Sequence, residues 1–301
     1  MTTPIRIRNS EIAAFRRCRR KWYNAYILRL TNEATPEQKF SRPPGTNATG
    51  TYVHALLEAH YCEEEHMGAD YQGGPITVSN RSYAEIPGDS SFCQEWEDSL
   101  TLAEIMFDGY LEWVAAEGLD QAEETVATEL SLEWEIMPGV FVTGQVDRLV
   151  RDTQWDRLIV EDYKTVQSLD KGPQFQVDTQ LLTYVLLANK NGYPCSDARH
   201  TMLRRVKRSA KAKPPFYGRA EVTFNDDQLA AHERALYVTV GEMLAIRAVA
   251  ESGNTDVCYP NPTKDCSWKC PFLGICAAHD DGSDIDGLRA ELFTVREEAV
   301  T

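Results

Sequence analysis

The run LIVEDYK, residues 158–164, places Asp162 and Lys164 two positions apart. A strand therefore aims both side chains at one face, while Glu161 and Tyr163 point away. Asp147 stands fifteen residues earlier, at the end of GQVD. A hairpin-like connection between the two strands brings these carboxylates together and creates a pocket with two acids and one ammonium. Hard oxygen ligands of this kind hold Mg2+ or Mn2+, the ion polarises a phosphate and generates hydroxide, and a lysine beside it positions or stabilises the reacting groups. Phosphodiesters react with water extremely slowly, so metal charge must do most of the stabilising. An Asp-x-Lys on an exposed strand is also commonly a surface ion pair, and its context decides between the two.

A second cluster lies near the end of the chain. DCSWKCPFLGIC, residues 265–276, holds Cys266, Cys270 and Cys276 in a C-x3-C-x5-C pattern, with Cys258 eight residues earlier. A structural zinc site, an iron–sulfur cluster and simple buried thiols all compete for it, and the first two need a fourth ligand from elsewhere. The eight cysteines sit at irregular separations in a long chain, which favours reduced thiols or metal ligands over a disulfide scaffold. Cys62, Cys93 and Cys195 read as ordinary small core residues. MTTPIRIRNS at the start lacks a signal-peptide apolar region, and apolar runs fall far short of the ~20 residues of a membrane helix, so a cytoplasmic protein without membrane attachment is expected.

The elements that must position these groups follow from periodicity. Ile12, Phe15, Trp22 and Tyr26 fall at helical intervals after Ser10, predicting one amphipathic helix over 10–30 with Cys18 on its apolar face. Further helices are predicted from Thr49 and over 94–117, separated by a Gly- and Ser-rich surface connection at 67–92. The period then changes to two from Val126 to Ile136, and MPG turns the chain into VFVTGQVDRLV. After the strand bearing LIVEDYK, helical spacing returns over QFQVDTQLLTYVLLANK. Two strands, ARHTMLRRVKR and RAEVTF, precede a long helix opened by NDDQ from Asn225. This order indicates an α/β fold, a mixed central sheet flanked by helices.

Net charge is -15, which argues against a polyanionic partner until its distribution is considered. Of the 31 Lys and Arg residues, eight fall between Arg6 and Arg29 and eight between Arg199 and Arg219, with Glu11 the one acid in those windows. Two cationic strips on an acidic body suit a phosphate backbone held in one place and repelled elsewhere. Arg16, Arg17, Arg19, Arg20 and Lys21 in the first, and Arg204, Arg205, Lys207 and Arg208 in the second, are the candidate DNA contacts.

GQVDRLV, EDYKT and QLLTY, in that order, resemble the RecB-like branch of the PD-(D/E)XK nucleases, and GTYVH resembles the upstream glycine–histidine helix of that branch. The resemblance implies a restriction-endonuclease-like core. It implies metal ligation by His54, Asp147, Asp162 and the Tyr163 carbonyl, catalysis by Lys164, and positioning by Gln180 and Tyr184, which share a helix face. One cysteine before the core and three after it is similar to the iron–sulfur exonuclease subgroup, which includes the fourth CRISPR-associated protein and the AddB nuclease domain. That likeness implies a 4Fe-4S cluster on Cys18, Cys266, Cys270 and Cys276, although the subgroup's usual spacing is C-x2-C-x5-C and Cys258 offers itself in place of Cys18. YPNPTKDCSWKCPFLGIC and the chain length look similar to free-standing members encoded by phages of actinobacteria.

The resemblance implies one nuclease domain over 1–301, with cluster regions at 1–30 and 258–280, core segments at 45–62 and 123–224, and a helical insertion at 63–122. The implied activity is metal-dependent exonucleolytic hydrolysis of DNA from its ends, single- or double-stranded, in phage recombination, repair or replication in the host cytoplasm. A phage recombinase or annealing protein is the implied partner, and homo-oligomers are compatible with it. The alternative is a non-catalytic DNA-binding accessory protein whose metal or cluster is structural.

Overall fold

The computed structural model describes residues 4–32, 43–45, 47–62, 91–169, 173–209 and 211–296. The connection read at 67–92 lies outside these except for its last two residues. The chain packs as two compact units: Met1–Ala34, Glu135–Val142 and Glu233–Thr301 form the first, Thr35–Trp134 and Thr143–His232 the second. The expected cysteine-bearing ends fall in the first, and the expected core segments in the second apart from 135–142.

In the first unit, β1 (Ile5–Arg8) is tied at Ile5 N–H to the Gly139 carbonyl, 2.9 Å away. Helix α1 (Asn9–Arg17) buries Ile12 and Phe15. The single helix expected over 10–30 is broken, because Cys18 is extended at φ -163, ψ 114. A new turn, α2 (Arg19–Trp22), starts after it, with the Cys18 sulfur accepting from Lys21 N–H at 3.5 Å. A π turn follows at Tyr23–Ile27, then the short strand β2 (Leu30–Thr31).

The second unit carries the sheet. Helices α3 (Ala48–Tyr61) and α4 (Cys93–Glu117) form where the helical spacing predicts them. Tyr52, Val53 and Leu57 of the first pack with Trp96, Met106 and Tyr110 of the second in one buried cluster. Strands β3 (Glu123–Met137) and β4 (Val140–Asp152) pair across the predicted turn, where Gly139 takes φ 74. β4 runs antiparallel to β5 (Arg157–Val166). Helix α5 (Thr179–Lys190) then crosses over to β6 (Cys195–Arg204), parallel to β5, and β7 (Tyr217–Thr223) closes antiparallel. The result is a mixed sheet flanked by helices. Helix α6 (Asp226–Glu251) opens on a reciprocal cap in which Asn225 and Gln228 each bond the other's backbone N–H.

Two glycines let helices approach the sheet. A Cβ on Gly50 would lie 2.9 Å from Thr165 Oγ1, and one on Gly144 would lie 2.8 Å from Leu187 Cδ1 and 3.0 Å from Tyr184 Cε1. Bare backbone at these points seats α3 on β5 and α5 on β4.

Beneath the opposite face from Asp162, Glu161 is fully buried. It accepts from Arg199 at 2.8 Å, Arg148 at 3.1 Å and Thr201 at 2.5 Å. Burial opposes its charge, but the three neighbouring arginines, Arg199, Arg219 and Arg148, hold the carboxyl well below its usual range. Arg199 and Arg219, which frame the second cationic window, are therefore interior groups paired with acids.

The first unit ends in α7 (Cys266–Lys269), α8 (Leu273–Cys276), α9 (Ile285–Leu292) and β8 (Thr294–Val295), which pairs antiparallel with β2. Among the described residues, no helix is long and apolar enough to cross a membrane.

Candidate functional site

His54 leaves α3 four residues after Gly50, and Asp147 leaves β4 three residues after Gly144, so both stand close to the two tight packing points. Asp147 Oδ2 accepts from Tyr163 N–H at 2.7 Å and lies 3.5 Å from His54 Nδ1. Burial disfavours a charged His54, but the bond to Asp147 and the charges of Asp147, Asp162 and Glu129 outweigh it and raise its pKa.

Glu129 on β3 completes this group. His54, Glu129 and Asp147 each offer a donor atom within 4.8 Å of the other two. Glu129 has φ 48, a left-handed conformation rare for a side-chain-bearing residue, in the middle of its strand. Sequence reasoning missed it because Glu129, Glu133 and Glu135 occupy equivalent alternate positions, and nothing in the alternation marks the one that the backbone turns inward.

Asp162 stands differently from its expected place among the ligands. It is buried, its Oδ2 lies 2.7 Å from Lys164 Nζ and 2.9 Å from His200 Nδ1, and it is not one of the three clustered donors. Lys164 also donates to Gln180 Oε1 at 2.9 Å, and Gln180 Nε2 donates to the Tyr184 hydroxyl at 3.0 Å. Burial pushes the Tyr184 hydroxyl pKa up to about 12, with the carboxylates of Asp162, Asp147 and Glu129 adding to the shift. Lys164 and Asp162 thus share one strand face and Gln180 and Tyr184 one helix face, as their spacings predicted, and the hydrogen bond from Lys164 to Gln180 brings the two pairs together.

His200 is the other residue that sequence reading passed over. Its Nε2 lies 3.2 Å from Asp178 Oδ2, and Asp178 caps α5 by accepting from Gln180 and Leu181 N–H. Burial works against the imidazolium, but bonds to Asp162 and Asp178 raise its pKa to about 9. It thereby joins the strand bearing Asp162 to the helix bearing Gln180.

An imidazole with two carboxylates suits a divalent ion that accepts oxygen and nitrogen donors, and Mn2+ or Mg2+ matches that set. Of these donors, His54 Nδ1 and Asp147 Oδ2 are 3.5 Å apart, and all three lie within 4.8 Å of one another.

Burial pushes the Cys270 thiol pKa up; Phe272 N–H and Lys21 oppose the rise, while nearby Cys18 and Cys266 reinforce it. Cys18 Sγ accepts from Asn261 N–H at 3.4 Å, and Cys266 Sγ accepts from Thr263 N–H at 3.3 Å. Arg20 draws in the rest of the segment: it donates to the carbonyls of Cys258 at 3.3 Å and Cys276 at 3.0 Å and forks onto Asp280. Cys258 is buried, with Arg19 and Arg20 nearby.

The side chains expected to contact DNA differ in exposure and in partners. Arg20 is 6% exposed and turned inward onto Asp280 and the Cys258 and Cys276 carbonyls. Arg16 is tied to Thr239 at 3.0 Å, and Arg19 to Glu242 and the Tyr259 ring. Arg17 is exposed and Lys21 half-buried. In the second strip Arg204 donates to the Lys213 and Pro215 carbonyls, and Arg205 is half-buried. Lys207 and Arg208 are exposed but face Asp98 and Glu112 of α4.

The mixed sheet thus presents Asp147 and the Asp162–Lys164 pair beside His54 of α3. Residues 9–277 match the PD-(D/E)XK nuclease superfamily, and the chain belongs to it. No curated protein matches the sequence. Among solved structures, that of SSO0001 is 18% identical, aligned over 81% of this chain and 92% of its own, with a TM-score of 0.34. A phage related exonuclease from Haemophilus somnus 129PT is 13% identical, aligned over 70% of this chain and 96% of its own, with a TM-score of 0.26.

Proposed function

We propose that this protein is a Mg2+- or Mn2+-dependent DNA exonuclease, encoded by an actinobacterial phage and acting at DNA ends in recombination, repair or replication in the host cytoplasm. The observation that carries this reading is the meeting of donor atoms from His54, Glu129 and Asp147 within 4.8 Å of one another. Lys164 stands on the adjoining strand. A bound divalent ion supplies positive charge against the scissile phosphate and makes water a better nucleophile.

The chain's own groups do the rest. Two of the three protons of Lys164 are directed to Asp162 and Gln180, which orients the third for a phosphate oxygen or the attacking water. Gln180, fixed by Tyr184 and by the capped start of α5, keeps the ammonium from swinging away. His200 holds Asp162 from behind.

Cys18, Cys266, Cys270 and Cys276 are proposed to carry a 4Fe-4S cluster. Backbone N–H groups directed at Cys18 and Cys266 sulfur favour thiolate ligands.

The test is digestion of linear and closed circular DNA of one sequence with Mg2+ or Mn2+. Loss of linear DNA with the circle intact supports an exonuclease; binding of both without cleavage favours the accessory protein.

A further inference from the structure

The three clustered donors stand on three different elements, His54 on α3, Glu129 on β3 and Asp147 on β4. With no cation between them the two carboxylates repel each other, so the spacing of these elements must be held by other contacts. One buried side chain reaches all three. Arg148 follows Asp147 on β4 and therefore leaves the opposite face of the sheet. It is 2% exposed, too deep to touch a substrate, so whatever it does for the site passes through the elements it holds.

Its guanidinium uses edge and face for different elements. Nε donates at 2.9 Å to the hydroxyl of Thr125, which lies on β3 four residues before Glu129. The NH1 group donates at 3.1 Å to Glu161 Oε2 on β5, next to Asp162. The flat face covers the Tyr61 ring, with the guanidinium carbon 3.7 Å from the ring centroid. Tyr61 ends α3 seven residues after His54, two turns further along one helix face. Burial opposes the charge of Arg148, but Glu161 above all outweighs it and raises the pKa, so the group stays a cation.

Tyr61 carries the contact onward. Its hydroxyl donates to Asp120 Oδ2 at 2.6 Å and lies 2.8 Å from the Tyr110 hydroxyl, and its ring is stacked on that of Tyr163 with centroids 6.3 Å apart. The Tyr163 ring in turn meets the His54 imidazole edge to face at 6.3 Å, and the Tyr163 N–H donates to Asp147. Neutralising Glu161 does not by itself require Arg148, because Arg199 and Thr201 also donate to that carboxylate. A lysine in its place would keep the charge but lose both the planar fork and the stacking face.

We propose that Arg148 is a positioning residue that sets the spacing of His54, Glu129 and Asp147 from the far face of the sheet, by bonding β3 and β5 and by stacking on Tyr61 of α3. All of these residues belong to the second unit. The proposal rests on the reading of the three donors as a divalent-metal site.

Calorimetric titration of the metal-free, full-length protein with Mn2+ tests it, counting the site that Asp147→Ala abolishes. Arg148→Lys removes the fork and the flat face, and Tyr61→Leu removes the ring beneath it. Tyr61→Phe keeps the ring and loses only the hydroxyl bonds to Asp120 and Tyr110, so it reports what lost stability alone does. The expected result is an Mn2+ Kd raised at least ~10-fold by Arg148→Lys and by Tyr61→Leu, and changed less than about twofold by Tyr61→Phe, although all three variants melt at lower temperature. Unchanged affinity in Arg148→Lys, or equal losses in Tyr61→Phe and Tyr61→Leu, overturns the proposal and leaves the metal site standing. Should Arg148→Lys fail to fold, the two Tyr61 variants decide by the same criterion. If no Mn2+ site disappears with Asp147→Ala, the metal reading itself fails and takes the proposal with it.

Discussion

The imidazole of His200 sits 2.9 Å from Asp162 Oδ2, so the aspartate beside the proposed catalytic lysine is held from inside the protein as well as from the cleft. His200 has a folded-state pKa raised to about 9, against about 6.5 when unfolded. A raised histidine stabilises fully below the unfolded value, and that stability is lost as pH climbs towards the folded one. In metal-free protein, unfolding free energy is therefore expected to fall between about pH 6.5 and 9, by on the order of 3 kcal/mol for this group. Urea melts of His200→Gln across that window should show a flatter slope; an identical slope would remove His200 from the network.

Glu129 enters by geometry alone, on a strand position that periodicity cannot distinguish from its neighbours. Glu129→Ala is expected to raise the Mn2+ concentration for half-maximal binding at least ~10-fold while the fold survives, since outer partners of a metal already cost 10–100-fold. Metal titration by calorimetry reads this directly. Unchanged affinity would return Glu129 to the ordinary polar face of β3.

Gly144 is the point where α5 presses on β4. Gly144→Ala must displace Leu187 and the Tyr184 ring, which a new Cβ would meet at 2.8 and 3.0 Å. Overpacking of this kind costs about 1–3 kcal/mol. A lower melting temperature together with a lower kcat is expected, because Tyr184 anchors Gln180 and Gln180 anchors Lys164.

Cys18 ties the break between α1 and α2 to the backbone of Asn261, five residues before Cys266. Cys18→Ser, purified without oxygen, is expected to lose iron and brown colour and to melt at lower temperature. DNA affinity should fall with them, because the same segment carries Arg17 and Lys21. Full iron content in the variant would pass the fourth position to another ligand.

Much of this arrangement was legible beforehand. The spacing of Val53, Leu56, Leu57 and Tyr61, the alternation around Leu132, and the i, i+4 pair Gln180 and Tyr184 each follow from one element's own period, so the elements appear where predicted. What escaped depends on contacts between distant segments. Cys18 breaks a helix that its neighbours would extend, because its sulfur meets backbone N–H groups from both Lys21 and Asn261. Arg20 and Arg199 counted as surface charge in the linear sequence, yet Asp280 and Glu161 draw them inside. His200 lay in a strand with no motif around it, and only the parallel register with β5 sets it opposite Asp162.

The most direct test compares the rate of linear DNA degradation against Mn2+ concentration for the unsubstituted protein, Asp147→Ala and Lys164→Ala. The expected result is a saturable metal dependence in the first. Asp147→Ala should lose metal binding and activity together, and Lys164→Ala should keep metal affinity while kcat falls at least ~100-fold. Degradation that persists at full rate in either variant would contradict the placement of the active site at Asp147 and Lys164.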